Sequence, residues 1–170
     1  VTVEEQSTGD FSIVLGYSSL DKSSVSLGIN ERNFLGTGRR ASASISTSGT
    51  ETSFNLGLTE PYLLGRNLTG SFDVFNTKNK SDETTVNQTG FSLGVGFPAA
   101  RDVFHRLNYE LSKSKTTVSS TTATSITGEA DETRLRSSLK YVLSKDTRDS
   151  RFDPTEGYLL EMDETLAGFG

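Results

Sequence analysis

Apolar residues recur at every second position of this chain in run after run. Phe11, Ile13, Leu15 and Tyr17 fall on one side of a two-residue period, with Ser12, Val14, Gly16 and Ser18 on the other. Side chains of an extended chain project alternately to opposite faces, so this pattern predicts a β-strand. After a polar turn at 19–22, Val25, Leu27 and Ile29 alternate with Ser24, Ser26, Gly28 and Asn30, and a Gly-containing turn follows at 33–38. A third strand at about 39–48 sets Ala41, Ala43 and Ile45 against Ser42, Ser44 and Ser46. In the fourth, Phe54, Leu56 and Leu58 alternate with Asn55, Gly57 and Thr59, and Pro61, which cannot donate to a ladder, marks its end.

The pattern continues through the rest of the chain. A fifth strand at about 67–77 carries Leu68, Phe72 and Val74 on one face. Phe75 interrupts that alternation and predicts a bulge or the interfacial end of the strand. The sixth sets Phe91, Leu93, Val95 and Phe97 against Ser92, Gly94 and Gly96 and closes at Pro98. The seventh sets Val103, Leu107, Tyr109 and Leu111 against Phe104, Arg106, Asn108 and Glu110, and a Ser/Thr-rich loop follows at 113–128. The eighth places Leu135, Leu139, Tyr141 and Leu143 opposite Arg134, Arg136, Ser138, Lys140 and Ser144. The ninth begins near Gly157 with Tyr158, Leu160 and Met162. Nine strands are predicted, and no helix.

Connections predicted near 33–38, 60–66, 97–102 and 146–157 are short and rich in Gly or Pro. Those near 19–23, 48–51, 76–85 and 113–129 are polar and longer. Short turns at one end of a sheet and longer loops at the other are the asymmetry of outer-membrane barrels. Aromatic residues gather near predicted strand ends (Phe11, Tyr17, Phe34, Tyr62, Phe97, Tyr109, Tyr141, Tyr158), as an interfacial girdle requires.

Composition fits such a wall better than a solid core. Only 32% of the 170 residues are hydrophobic, and even with the 16 glycines added the chain stays below the 45–50% of ordinary globular domains, a figure that counts Gly. Ser and Thr make up roughly a quarter of the chain, a composition compatible with disorder, but the strict alternation argues for strands. The mean hydropathy of −0.41 suits a barrel with a wet interior as well as a soluble protein. No run of 18 apolar residues occurs, so no spanning helix is expected. A soluble antiparallel sandwich has the same alternation. Against it stand strands of about 10–12 residues, where soluble strands centre near 5–6, and an apolar face almost free of charge. An Arg or Lys at the lipid midplane costs about 2–4 kcal/mol. The expected fold is therefore all-β, an antiparallel transmembrane β-barrel. Nine strands is an odd count, and an open sheet leaves two edges that hydrocarbon does not tolerate, so the meander is expected to be an incomplete part of a larger barrel.

Net charge of −5 and the lack of a basic stripe exclude a nucleic-acid partner. Cysteine is absent, which removes disulfides, thiolate metal sites and Cys nucleophiles. No nucleophile–base pair, P-loop or metal cluster is present, so neither an enzyme nor a cofactor or metal site is expected. His105, the only His, projects to the apolar side near a tight turn and reads as an interfacial residue. Asp146, Asp149 and Asp153 lack the ligand spacing of a Ca²⁺ loop and read as a turn. Arg106, Glu110, Arg134, Arg136 and Lys140 share the polar face. They would bind an inward loop or polarise a pore, or form a solvated face with local ion pairs. Gly36, Gly38, Pro61, Pro98, Pro154 and Gly157 read as residues that set turn geometry.

Specific residues also resemble a family. Val1 to Glu5 with Thr8-Gly9-Asp10-Phe11 is similar to the join between the last periplasmic POTRA repeat and the first barrel strand of the BamA family of outer-membrane protein assembly factors. The turn Asn33 to Gly38, Thr59-Glu60-Pro61-Tyr62, Gly96-Phe97-Pro98 and the stretches Asp146 to Asp149 and Phe152 to Gly157 resemble that family's later connections, in order. The resemblance implies that residues 1–8 end a periplasmic repeat or linker and that 9–170 form the N-terminal half of the barrel. It implies a bacterial outer-membrane insertase that folds other barrel proteins without ATP. Its implied partners are outer-membrane lipids, nascent outer-membrane proteins, periplasmic-side assembly lipoproteins and the remaining half of the barrel. Phe11, Ser12, Ile13, Val14, Leu15, Gly16 and Tyr17 would then be a lateral gate that captures a substrate strand by β-augmentation. A passive porin, a two-partner secretion pore and a soluble β-rich adhesin are the alternatives.

Overall fold

The computed structural model describes residues 8–19, 22–118 and 132–168. Alternation is realised as nine strands: β1 (Gly9–Ser18), β2 (Lys22–Phe34), β3 (Arg39–Thr47), β4 (Glu51–Glu60), β5 (Thr69–Lys80), β6 (Thr84–Ala100), β7 (Val103–Val118), β8 (Glu132–Asp146) and β9 (Leu159–Ala167). They form one antiparallel meander in chain order, with β1 and β9 at its two open edges. The only helical element among the described residues is a 3₁₀ turn, Leu63–Gly65.

Register carries the sequence pattern across the sheet. Leu56 pairs with Val74, Val74 with Phe91, and Phe91 with Leu111, so one face presents continuous apolar rungs. The opposite face carries Gly57, Asp73, Ser92 and Glu110 on neighbouring rungs. No hydrophobic residue is buried among the described residues, and Phe11, Leu15, Phe72 and Leu93 are all exposed. A sandwich would cover that face with a second sheet, and none is present among the described residues. Full burial of each such side chain is worth about 1.5–3 kcal/mol, and hydrocarbon outside a barrel wall supplies it.

Several boundaries differ from expectation, each for a physical reason. Phe75 causes no bulge: β5 keeps one register through Asn55–Phe75 and Phe75–Gly90, because Gly90 leaves room for the ring. Pro98 does not end β6, which runs to Ala100 with an irregularity between the two, the bulge position at which a sheet accepts proline. β7 reaches Val118, so the loop expected from 113 begins later, and Tyr109 sits inside the strand rather than at its end. Residues 119–131 of that loop lie outside the described residues.

The expected asymmetry of connections is met only in part, because each end has both short and long connections. At the end called here the tip end, β1 and β2, β3 and β4, and β5 and β6 are each joined through three residues. The fourth tip-end connection, between β7 and β8, spans 119–131, while the opposite, turn end has short connections at 35–38 and 101–102 and long ones at 61–68 and 147–158. Polar residues at the tip end that read as loops pair with neighbouring strands instead, as Lys78 and Lys115 do with Asn87. Aromatics do mark the turn end, where Phe97 stacks on His105 at 5.3 Å and Tyr158 lies under Lys145.

Candidate functional site

The first strand is an edge, and its hydrogen-bond phase can be assigned. Arg32 N–H donates to Thr8 C=O, which makes this an exchanging pair. Exchanging and non-exchanging pairs alternate along an antiparallel ladder. With an unbroken register from Gly9–Glu31 to Ser18–Lys22, even-numbered residues of β1 bond to β2. The N–H and C=O groups of Phe11, Ile13, Leu15 and Tyr17 therefore point away from β2. Their side chains lie on the apolar face, opposite Ile29, Leu27, Val25 and Ser23. Each unsatisfied backbone group in hydrocarbon costs several kcal/mol, so this row needs a partner strand.

The polar side of the same strand is narrow. Ser12, Val14 and Gly16 oppose Gly28, Ser26 and Ser24. A Cβ on Gly16 would meet Ser24 Oγ at 2.7 Å, and one on Gly28 would meet Ser12 Oγ at 2.7 Å. The glycines thus admit the serine hydroxyls of the neighbouring strand, which is a packing reason for Gly16.

The expected charged set does share one face. Glu110 pairs with Ser138, Asn108 with Lys140, Ser112 with Arg136 and Ser114 with Arg134, while Arg106 opposes Val142. These residues spread along β7 and β8 rather than converging on one point. Lys140 bonds Asp163 at 2.7 Å, Arg134 pairs with Glu132, and Arg106 lies 5.9 Å from the Phe104 ring centroid. Asp163 is absent from the charged set that the sequence suggests, which covers only the seventh and eighth strands. Its place two residues after Glu161 on the polar face was the available signal.

The turn residues occupy strained or crowded positions. Gly36 and Gly38 have positive φ, and Asn33 Oδ1 accepts the Gly38 N–H at 2.7 Å. Pro61 leads from β4 into the 3₁₀ turn, whose Leu63 side chain covers Gly70. Gly157 has φ +89°, and a Cβ there would lie 2.2 Å from Thr147 O. Within the connection that also carries Pro154, Asp149 accepts the Thr155 hydroxyl at 2.5 Å and the N–H groups of Thr155 and Glu156. The Thr155 hydroxyl, then these N–H groups, hold the Asp149 carboxyl at about 2, well below its usual 3.8. Asp146 pairs instead with Arg148 at 2.8 Å, so the three aspartates of this segment do not form a cation loop. His105, on the apolar face as expected, has Tyr141 as its partner at 2.6 Å.

Comparison with known proteins fits this architecture. A family model described as the Omp85 superfamily domain matches residues 33–170. The chain belongs to the Omp85 superfamily. Across 168 residues the Omp85 segment is 27% identical to the outer membrane protein assembly factor BamA of Nitratidesulfovibrio vulgaris, covering 99% of this chain and 21% of that protein. The crystal structure of BamA from Haemophilus ducreyi lacking POTRA domains 1–3 superposes with a TM-score of 0.72 at 20% identity, over 98% of this chain and 35% of that one. That likeness is one of fold. The segment thus spans about a fifth of the length of the curated relative and about a third of the solved chain. It is an open, BamA-like part of an outer-membrane barrel.

Proposed function

We propose that this segment forms the first part of the barrel wall of an outer-membrane protein insertase, with β1 as the edge that receives a strand. The observation that carries the reading is the ten-residue edge strand whose Phe11, Ile13, Leu15 and Tyr17 backbones face away from β2. Such a row captures an extended segment through main-chain bonds, independent of its side chains. An acceptor of many different substrate strands needs that independence. The similar protein of Nitratidesulfovibrio vulgaris is an outer membrane protein assembly factor, which supports the same reading.

On this reading residues 1–8 end a preceding periplasmic repeat. Nascent outer-membrane proteins are the substrates, and assembly lipoproteins bind on the periplasmic side. The rest of the barrel pairs with β9 and, between substrates, with β1. The machine is not an enzyme: the driving force is strand pairing and burial of substrate side chains in lipid. The charged face of β7–β9 lines the lumen.

Ile13→Pro tests the reading in the full-length protein. It removes one outward N–H without touching the β2 ladder. Assembly of a reporter barrel protein in liposomes is expected to slow at least about fivefold, since one lost hydrogen bond costs about 1 kcal/mol. Val14→Ala at the neighbouring inward position is expected to assemble it normally. Equal rates for Ile13→Pro and the parent protein would exclude templating at this edge.

A further inference from the structure

One carboxylate lies inside the apolar band. On β9 the face that continues the apolar rungs carries Leu160, Met162, Glu164 and Leu166. Glu164 opposes Tyr141, which opposes Leu107, which opposes Val95. The rungs on either side are apolar beside it: Met162 pairs with Leu143 and Leu166 with Leu139. Two other acidic residues lie on this face of the described strands, Glu31 and Glu60, both at the turn end and both held. Glu31 accepts the Asn33 N–H at 2.8 Å, and Glu60 pairs with Arg39.

Glu164 makes no hydrogen bond or ion pair with another described residue. Residues 1–7, 20–21, 119–131 and 169–170 contain no Lys, Arg or His, so every cation of the segment is among the described residues, and none reaches it. Tyr141, directly opposite, has its hydroxyl 2.6 Å from His105 Nδ1, on the far side of β8 from Glu164. An ionised side chain facing hydrocarbon is costly, and such groups pair with one another. The free side of β9 is where a partner fits. Gly168 N–H donates to Ser137 C=O and Thr147 N–H to Tyr158 C=O, so even-numbered residues of β9 form the exchanging pairs with β8. Toward a following antiparallel strand, Glu164 therefore occupies a non-exchanging position. Opposed Cα atoms there are about 4.5 Å apart rather than 5.5 Å, and cross-strand side chains are closest.

We propose that Glu164 is a pairing site for the strand that follows β9 in the full-length protein, and that this strand sets a Lys or Arg side chain opposite it. The inference rests on the reading that the apolar face lies in a bilayer and that the wall continues past β9. An ion pair inside hydrocarbon fixes register. A slip of one residue turns the base to the lumen, and a slip of two separates the charges by a further rung, about 7 Å. Glu164 thereby locks the seam on the β9 side. The β1 edge differs: Phe11, Ile13, Leu15 and Tyr17 put no charge on its apolar face, so it accepts strands without such a demand.

The test reads the urea midpoint of the full-length protein folded in phospholipid vesicles. Removing a carboxylate that faces lipid alone, or one held protonated, would leave the midpoint unchanged or raise it. Removing one half of an ion pair strands the other half, so Glu164→Leu is expected to lower the midpoint by at least about 1 M. If Glu164→Leu does not fold, Glu164→Gln, which keeps the size and shape of the side chain, serves in its place. In the same background each Lys and Arg of the following strand is changed to Leu in turn, and one of these second substitutions is expected to restore the midpoint. An unchanged or raised midpoint for the Glu164 variant would overturn the proposal, as would a loss that no second substitution restores. Leu93→Glu, on the same face three strands away, is expected to destabilise the protein. Its having no effect would overturn the bilayer reading itself.

Discussion

The Phe75 ring occupies the space that a side chain at Gly90 would need. The two residues are paired across β5 and β6, and a Cβ on Gly90 would lie 2.7 Å from Phe75 Cζ. The same Cβ would lie 2.6 Å from the backbone oxygen of Leu111 on β7, which cannot rotate away. Gly90→Ala is therefore expected to destabilise the barrel by about 1–3 kcal/mol through overpacking. The urea midpoint for loss of the heat-modifiable folded band in detergent measures it. An unchanged midpoint would mean that the β6–β7 spacing is looser than described.

Neighbouring positions of β6 should respond oppositely to the same substitution. Leu93 lies in the apolar band, between Phe72 and Tyr109, while Ser92 faces Asp73 and Glu110 on the polar side. Leu93→Arg is expected to cost about 2–4 kcal/mol and to abolish insertion, whereas Ser92→Arg gains two acidic neighbours and is tolerated. Membrane fractionation with urea extraction separates the outcomes. Equal loss in both variants would show that the two faces are not lipid and lumen.

Acid should act on the 147–158 connection at an unusually low pH. The Asp149 carboxyl is held at about 2, below the ordinary 3.8, chiefly by the Thr155 hydroxyl. A lowered native value means that the ionised form favours the folded loop. That contribution is complete above about 3.8 and is lost as pH falls through about 2. A carboxyl-carbon NMR titration should place the Asp149 midpoint near 2, and Thr155→Val should raise it. A midpoint near 3.8 in the parent protein would remove Asp149 as the organiser of this loop.

The two-residue period was enough to give nine strands, their order and their faces. Register needed only that apolar residues meet apolar residues, as Ile13 meets Leu27 and Leu27 meets Ile45. Strand ends were less legible. Lys78 and Lys115 look like loop residues because polar residues punctuate strands in water, whereas a barrel strand continues beyond the lipid into a polar zone. Phe75 looked like a register error because its accommodation depends on Gly90, a partner fifteen positions away. The edge could be located from the chain alone. The outward set Phe11, Ile13, Leu15 and Tyr17 could not, since it depends on one hydrogen bond, Arg32 to Thr8, that fixes the ladder's phase.

Position-resolved disulfide crosslinking at β1 tests the central claim most directly. Single Cys residues at Ser12, Val14 and Gly16 of the full-length protein are to be combined with a Cys scan along the last strand of a substrate stalled during assembly. A templating edge predicts crosslinks from all three positions, with the partner site moving by two substrate residues each time the β1 site moves by two. Completed substrate assembly with no crosslink from any of the three, or crosslinks that do not shift with position, would contradict the account.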